Sequence, residues 1–214
     1  MLWDQRPWIA LDNTTARAVV FYEDLKGGGM EDVIGPAVGN ESITDINRRL
    51  NANAAYVNFY LRYSIKNFGH SPANVRIHTT VVDQGYPRYK NLLEVIRREN
   101  VCGEQQDKDW AWTIVPGGTT YNHISSLEIN QKMWETRTIE PTVVGCIWYR
   151  STIGDKSTIH KTPFAGHISM ATDEKGQPVQ DPSPIPIPLR RLFKSPIDKN
   201  ELKVVDVWIM GDAD

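Results

Sequence analysis

Two stretches in which apolar and polar residues alternate, 56–66 and 73–82, constrain the fold of this chain more than any other feature. The residues on one side of the first stretch are Val57, Phe59, Leu61, Tyr63 and Ile65. The corresponding residues of the second stretch are Ala73, Val75, Ile77, Thr79 and Val81. Because successive side chains of a β-strand point to opposite faces, the pattern predicts two strands, each with one buried face and one face in water.

The residues that connect these two stretches are typical of a turn. Gly69 adopts a positive φ without strain, Asn67 tolerates one, and Pro72 cannot donate a hydrogen bond to a neighbouring strand. We therefore predict that the chain reverses at 67–72 and that the second strand pairs with the first in an antiparallel hairpin.

The composition of the 214-residue chain is that of an ordinary globular protein, with 40% hydrophobic and 23% charged residues. This length predicts a single domain over 1–214 with a sizeable core. The net charge of −2 and the scattered Lys and Arg residues argue against a nucleic-acid partner. No run approaches the roughly 20 apolar residues of a membrane span, and signal-peptide and cofactor motifs are absent. The sequence therefore predicts a soluble, untargeted chain without a cofactor.

Further β-prone segments follow one another along the chain. They are 6–12, 18–22, 110–114, 121–130, 141–153, 156–168 and 202–210. Residues 141–153 and 156–168 are predicted to form a second hairpin with Gly154 and Asp155 at its tip. Within it, 143–149 is apolar almost throughout, which predicts a central strand covered on both faces.

Three segments interrupt this series of strands. In 87–100, apolar residues recur every three or four positions, which predicts one amphipathic helix. Residues 13–53 are predicted to be a long insertion, and the proline-rich segment 173–188 an extended loop. Many short strands with turns between them and one inserted helix favour an all-β fold, built as an antiparallel β-sandwich.

Cys102 and Cys146 are the only cysteines, so the chain forms at most one intramolecular disulfide. Both lie in segments that a sandwich can bring together. Two interpretations stay open from the sequence: a disulfide, or two buried thiols that act as small apolar side chains.

The five histidines have neither the spacing nor the Cys partners of a zinc site, and we predict no bound metal. A hydrolytic site around His123, Ser125 and Asp155 is a hypothesis from another class of function, although the G-x-S-x-G motif of a nucleophile elbow is absent. Such a site requires the three side chains to approach hydrogen-bonding distance.

Trp110 and Trp112 are two residues apart on a predicted strand, so their side chains share a face. A pair of exposed aromatic rings on a sheet is a platform on which sugar rings stack. The alternative is that both rings cover the core, as most tryptophans do. A carbohydrate-binding sandwich that uses Trp110 and Trp112 is therefore a further functional hypothesis.

Four short motifs occur in order along the chain. They are R-P-W at 6–8, N-F-G-H-S-P-A-N-V at 67–75, V-P-G at 115–117 and V-G-C-I-W-Y-R at 144–150. With these motifs, the chain from Gln5 to about Gly166 resembles an uncharacterised family of small bacterial proteins. In that family, an N-terminal membrane helix is followed by one immunoglobulin-like or fibronectin-like domain. None of the four motifs is a catalytic signature.

The resemblance implies a non-enzymatic domain that recognises another protein or a component of the bacterial envelope. It also implies association with a membrane through the N-terminal helix. Only four residues precede Gln5, so we expect that this chain has either lost the anchor or is a soluble member of the family.

Overall fold

The computed structural model of the chain describes residues 7, 9–23, 54–83, 92–103, 112–153, 158–172, 177, 184–194 and 196–209. Within them lie ten strands: β1 (Ile9–Glu23), β2 (Ala54–Asn67), β3 (Ala73–Asp83), β4 (Trp112–Ile114), β5 (Gly117–Glu128), β6 (Thr138–Ile139), β7 (Pro141–Ser151), β8 (His160–Met170), β9 (Ile187–Pro188) and β10 (Leu202–Ile209). The same residues include three helices, α1 (Leu92–Glu99), α2 (Gln131–Thr136) and α3 (Leu189–Lys194). Strands dominate and pair antiparallel throughout, which confirms the predicted all-β class.

The strands form two main sheets and a small ribbon. The first sheet has the order β1-β2-β5, the second has the order β10-β8-β7-β3-β4, and β6 pairs with β9 in the ribbon. Buried apolar residues of both main sheets belong to one continuous core. Across this core, the rings of Tyr63 in β2 and Phe164 in β8 meet edge to face with 5.8 Å between their centroids. The two main sheets therefore pack face to face.

The predicted buried faces of β2 and β3 are confirmed. The five residues of β2 predicted to face inward are at most 1% exposed, and those of β3 are at most 8% exposed. Among the residues between them along β2, Tyr60, Arg62 and Lys66 are exposed, and Asn58 and Ser64 are half-buried. Alternation therefore identified the core-facing side of both strands correctly.

The predicted pairing of β2 with β3 is wrong. β2 pairs with β1 and β5, whereas β3 pairs with β4 and β7, so the two strands lie in opposite sheets. The turn between them is a crossing between sheets, and the Asn67 side chain supports it. Its Nδ2 donates to the carbonyl oxygens of Ser71 at 2.9 Å and of Ile114 at 3.3 Å. Alternation reports which face of a strand is buried, but it does not report which strands are its neighbours.

A single strand, β1, replaces the two strands predicted near the N-terminus. It continues beyond residue 12, where the first predicted strand ends, with an irregularity in its pairing between Leu11 and Asn13. Such a bulge lets a strand absorb turn-prone residues without leaving the sheet. Residues 13–23 therefore belong to β1 and not to the predicted insertion, whose remainder, 24–53, lies outside the described residues.

The second predicted hairpin is confirmed, because β7 and β8 pair from Thr142 with His167 to Tyr149 with His160. The tip residues predicted at 154–155 lie outside the described residues. β10, the predicted last strand, pairs with β8 and forms one edge of the second sheet.

β7 is the central strand of the second sheet, and both of its faces are buried, as predicted. On one face, Val143, Ile147 and Tyr149 join the core between the sheets. On the other face, Val144, Cys146 and Trp148 form a second cluster with Leu92, Val95 and Ile96 of α1. α1 therefore covers the outer surface of this sheet. The helix predicted over 87–100 is described only from Leu92 onward.

The prediction of a single helix is wrong, because α2 and α3 are present as well. Each of them has six residues, which is too few for a 3.6-residue pattern to repeat. α2 begins after Asn130, whose Oδ1 accepts a 3.1 Å hydrogen bond from the Met133 N–H. α3 directly follows β9, so the last residues of the predicted proline-rich loop form a strand instead.

Candidate binding surface

Cys102 and Cys146 form a disulfide, with 5.3 Å between their Cα atoms. Cys146 lies on β7 and is fully buried beneath α1, and Cys102 follows the C-terminal end of that helix. The bond therefore ties the end of α1 to the central strand of the second sheet. In the chain-entropy model, closing a loop of this length stabilises the fold by about 4 kcal/mol.

Trp112 lies on β4 at the side of the molecule where β4 and β5 end their sheets. Its ring stacks on that of Tyr121, with 5.1 Å between the centroids and 17° between the planes. Tyr121 also stacks with His123 on the same strand, at 6.2 Å. Both Trp112 and Tyr121 are partly buried and pack against the core. One face of the Trp112 ring is thus occupied by the protein itself.

The other tryptophan of the predicted sugar platform, Trp110, lies outside the described residues. The carbohydrate-binding hypothesis therefore stays a prediction. It now requires the remaining face or the edge of Trp112 to meet the sugar, because Tyr121 stacks on the first face.

His123 and Ser125, two of the residues predicted for a hydrolytic site, lie on one face of β5 and both meet the edge of β3. Ser125 Oγ accepts a 2.8 Å hydrogen bond from the Val81 N–H. The His123 ring hydrogen-bonds to the backbone of Thr79. Asp155 lies outside the described residues. These contacts serve to close the edge of β3 beyond the three-residue strand β4, and the hydrolytic hypothesis stays a prediction.

The environment of His123 disfavours its charged form. Partial burial lowers the pKa of the imidazole below its ordinary value of 6.5, the nearby His78 lowers it further, and the bond to Thr79 raises it in part. The ring is therefore mainly neutral at pH 7, because its partial burial between the two sheets disfavours the charged form.

Among the described residues, no three His, Cys, Asp or Glu side chains lie close enough together to hold a metal ion. His160 stacks on Tyr149 with 5.2 Å between the ring centroids. His167 Nδ1 hydrogen-bonds to Thr142 Oγ1 at 3.0 Å. Thr142 and Tyr149 are seven residues apart on β7, so the two histidines occupy opposite faces of their sheet.

A groove of about 870 Å³ lies on the outer face of the first sheet. Its floor is formed by neighbouring side chains of two strands, and its wall by the segment that precedes β10. These residues are Tyr60 and Arg62 of β2, Asn122 and Ile124 of β5, and Asp198, Lys199 and Asn200 of the wall. Tyr60 is paired in register with Ile124, and the two side chains are 37% and 54% exposed. The groove thus combines an apolar patch with charged groups of both signs.

The wall of the groove is held in place from two sides. Ile197 is fully buried and exchanges two backbone hydrogen bonds with Ala18 of β1, at 2.9 and 3.1 Å. Arg191 of α3 donates a 2.6 Å hydrogen bond to Oε2 of Glu201, while the Asp198 N–H donates to Oε1 at 3.3 Å. Burial raises the pKa of the Glu201 carboxyl, but these hydrogen bonds and the Arg191 charge outweigh it and hold the pKa below its ordinary value.

Sequence reasoning missed this groove because its floor and wall come from distant parts of the chain. One signal was available: Tyr60 and Arg62 stand on the face of β2 that alternation assigns to water. An aromatic residue and an arginine on a predicted wet face are a combination that protein interfaces favour.

Comparisons of the chain with protein-family models, with curated proteins and with solved structures give no match. No helix in the described ranges is long and apolar enough to span a membrane. The all-β class is thus established by the structure, and any function must be argued from its surfaces.

Proposed function

We propose that the chain is an immunoglobulin-like or fibronectin-like β-sandwich that acts as a non-enzymatic recognition module for a protein partner. The fold part of this proposal is supported by the strand order. If β1, β2, β3, β5, β7 and β8 are lettered A, B, C, E, F and G, the two sheets are ABE and GFC. These letters match the division of strands between the sheets of immunoglobulin-type sandwiches.

The chain differs from that pattern in two ways. β4 pairs beyond C, and β10 pairs beyond G, so the second sheet is wider than the GFC core. The disulfide also differs from the one that links strands B and F in antibody domains, because Cys146 on F faces the outer cluster under α1.

The observation that supports protein recognition is the groove on the outer face of the ABE sheet. Tyr60 and Ile124 offer an apolar centre, and Arg62 and Lys199 offer charge beside it. Exposed aromatic and arginine side chains supply much of the binding energy at protein interfaces. The groove combines apolar and charged side chains, which suits a protein surface.

The disulfide supports a location outside the reducing cytoplasm, because such bonds persist in oxidising compartments. This agrees with the resemblance to envelope proteins of bacteria. We therefore propose that the partner is a protein of the bacterial envelope and that relatives of this chain are held there by a membrane anchor.

The test is affinity capture from envelope extracts with the oxidised full chain and three variants, read out by quantitative mass spectrometry. Y60A and R62E alter the floor of the groove, whereas R97E makes the same charge change on the exposed side of α1, over the other sheet. We expect a specific protein whose capture falls at least about tenfold with Y60A and R62E and is unchanged with R97E. If no captured protein depends on Tyr60 or Arg62, the proposal is wrong.

A further inference from the structure

Most of the large apolar side chains that are exposed in the described part of the molecule lie in connections between strands. Of six such side chains, two line the groove. The other four stand in three separate connections and are between 49% and 63% exposed. These four apolar tips are Phe68, Val115, Ile153 and Ile159. Exposed apolar groups that gather in one place mark a site of interaction with a protein or a membrane.

Strand pairing places the four apolar tips at the same end of the two packed sheets. Asn67, the last residue of β2, pairs with Gly117, the first residue of β5. Ala73, the first residue of β3, pairs with Ile114 of β4 and with Ser151 of β7. β8 begins beside the end of β7. The connections between β2 and β3, β4 and β5, and β7 and β8 therefore meet at one end. We define this loop end as the described residues 66–72, 114–118, 150–153 and 158–161.

Hydrogen bonds hold the connections of the loop end to one another. The Asn67 side chain donates to Ile114 O at 3.3 Å and accepts a 3.0 Å hydrogen bond from the Gly69 N–H. Thr152 donates from both its backbone N–H and its Oγ1 to Pro72 O, at 3.1 and 3.2 Å. Because these backbone groups already have partners within the protein, removing them from water costs less free energy.

The charged residues of the loop end are all basic. They are Lys66, Arg150 and Lys161. The Nζ of Lys66 lies 5.1 Å from the centroid of the Phe68 ring, so a positive charge accompanies an apolar tip. Residues 154–157, which lie outside the described residues, contribute one acidic and one basic residue and thus no net charge. An anionic surface therefore complements the charge of the loop end.

We propose that the loop end docks onto an anionic lipid bilayer. The apolar tips enter the interface, where acyl chains cover them, and the basic residues meet the phosphate groups of the lipid headgroups. A protein partner would need a fitted cavity for each of four separate tips, whereas lipid chains adapt to them. The loop end is distinct from the groove on the outer face of the first sheet, so this proposal does not depend on the proposed protein partner.

The test is cosedimentation of the oxidised chain with vesicles of equal parts phosphatidylglycerol and phosphatidylcholine. We expect F68S and I153S each to weaken binding roughly tenfold, because each removes an inserted side chain. I124S removes an exposed isoleucine from the middle of β5 and should leave binding unchanged. K66E should weaken binding by about fivefold or more. K132E makes the same charge change on exposed α2, at the opposite end of β5, and should have no effect.

Insertion of the tips is measured with lipids that carry bromine on their acyl chains, which quench the fluorescence of tryptophan near them. The fluorescence that F68W adds to that of the wild type should be quenched, and that added by I124W should not. The proposal is wrong if the chain does not bind these vesicles, or if F68S and I153S bind them as well as the wild type. A protein from envelope extracts whose capture depends on Phe68, together with no vesicle binding, would instead identify the loop end as a protein interface.

Discussion

The backbone N–H of Val81 donates a 2.8 Å hydrogen bond to Oγ of Ser125, so a side chain of the first sheet completes an edge of the second. Both groups are buried. β4 pairs only with the first three residues of β3, which leaves the later part of that edge to other partners. This hydrogen bond therefore links the two sheets at the edge of the second sheet.

The S125A variant tests the importance of this bond. It leaves the Val81 N–H buried without an acceptor, which costs about 1–2 kcal/mol. We expect a loss of this size in the free energy of unfolding, measured with chemical denaturant. Ser126 provides the control, because it is exposed and bonds to Asn58 Oδ1 at 2.6 Å. If S126A destabilises the protein as much as S125A, the loss of stability does not come from the hydrogen bond between Ser125 and Val81.

Stability should depend on the neutral state of His123. Its pKa is lowered in the folded protein, so the unfolded chain binds the proton more readily. The stabilisation of the fold that follows from this pKa shift is therefore complete above pH 6.5. It is lost as the pH falls from there toward the lowered pKa of His123. We expect the unfolding free energy of the wild type to fall across this range and that of H123Q to fall less.

H70Q is the control for exchanging a histidine for glutamine, because His70 is exposed in the turn between β2 and β3. If H123Q and the wild type have parallel profiles between pH 5 and 7 (roughly the range in which histidine titrates), His123 does not contribute in this way.

Gly145 of β7 has no room for a side chain. A Cβ at this position would overlap Phe164 Cζ and lie 2.7 Å from the carbonyl oxygen of His78. Phe164 is buried and the carbonyl belongs to the neighbouring strand, so neither can move away easily. We expect G145A to destabilise the fold by about 1–3 kcal/mol, seen as a lower melting temperature. In G118A the new Cβ meets only Ile65 O, at 3.5 Å, and the change should be much smaller.

Removing the disulfide should destabilise the protein and release α1. The C102A variant loses the loop constraint, and we expect a loss of about 2–4 kcal/mol in unfolding free energy. Hydrogen exchange should show the largest loss of protection at Leu92–Glu99. A reductant should lower the stability of the wild type and leave that of C102A unchanged. Equal stability of oxidised wild type and C102A would contradict the structural role of the bond.

The core-facing positions of β2 and β3 could be predicted because they follow from local geometry. A strand places alternate side chains on opposite faces, so Phe59 and Val75 reveal their burial by their spacing. The continuous apolar run of β7 likewise predicted a strand covered on both sides. Short elements such as α2 escaped prediction because six residues carry too little periodicity.

The candidate site was the part least accessible from sequence. Trp112 was predicted to share a face with Trp110, but its stacking on Tyr121 involves a strand from the other sheet. Ser125 and His123 were weighed as catalytic residues, and the structure places them against the edge of β3. In each case the nearest neighbour comes from a distant segment, and its position depends on how the sheets pack.

The sequence by itself therefore determined the all-β class, the buried faces of β2 and β3, the burial of β7 on both faces and the amphipathic character of α1. Tertiary structure alone decided that β2 and β3 separate into opposite sheets, that Cys102 reaches Cys146 and that Lys199 lines the same groove as Tyr60 and Ile124. The physical reason is the range of the interactions. Side-chain alternation is set within a few residues by backbone geometry, whereas the partner of a strand is chosen by burial of apolar surface and backbone hydrogen bonding across the whole chain.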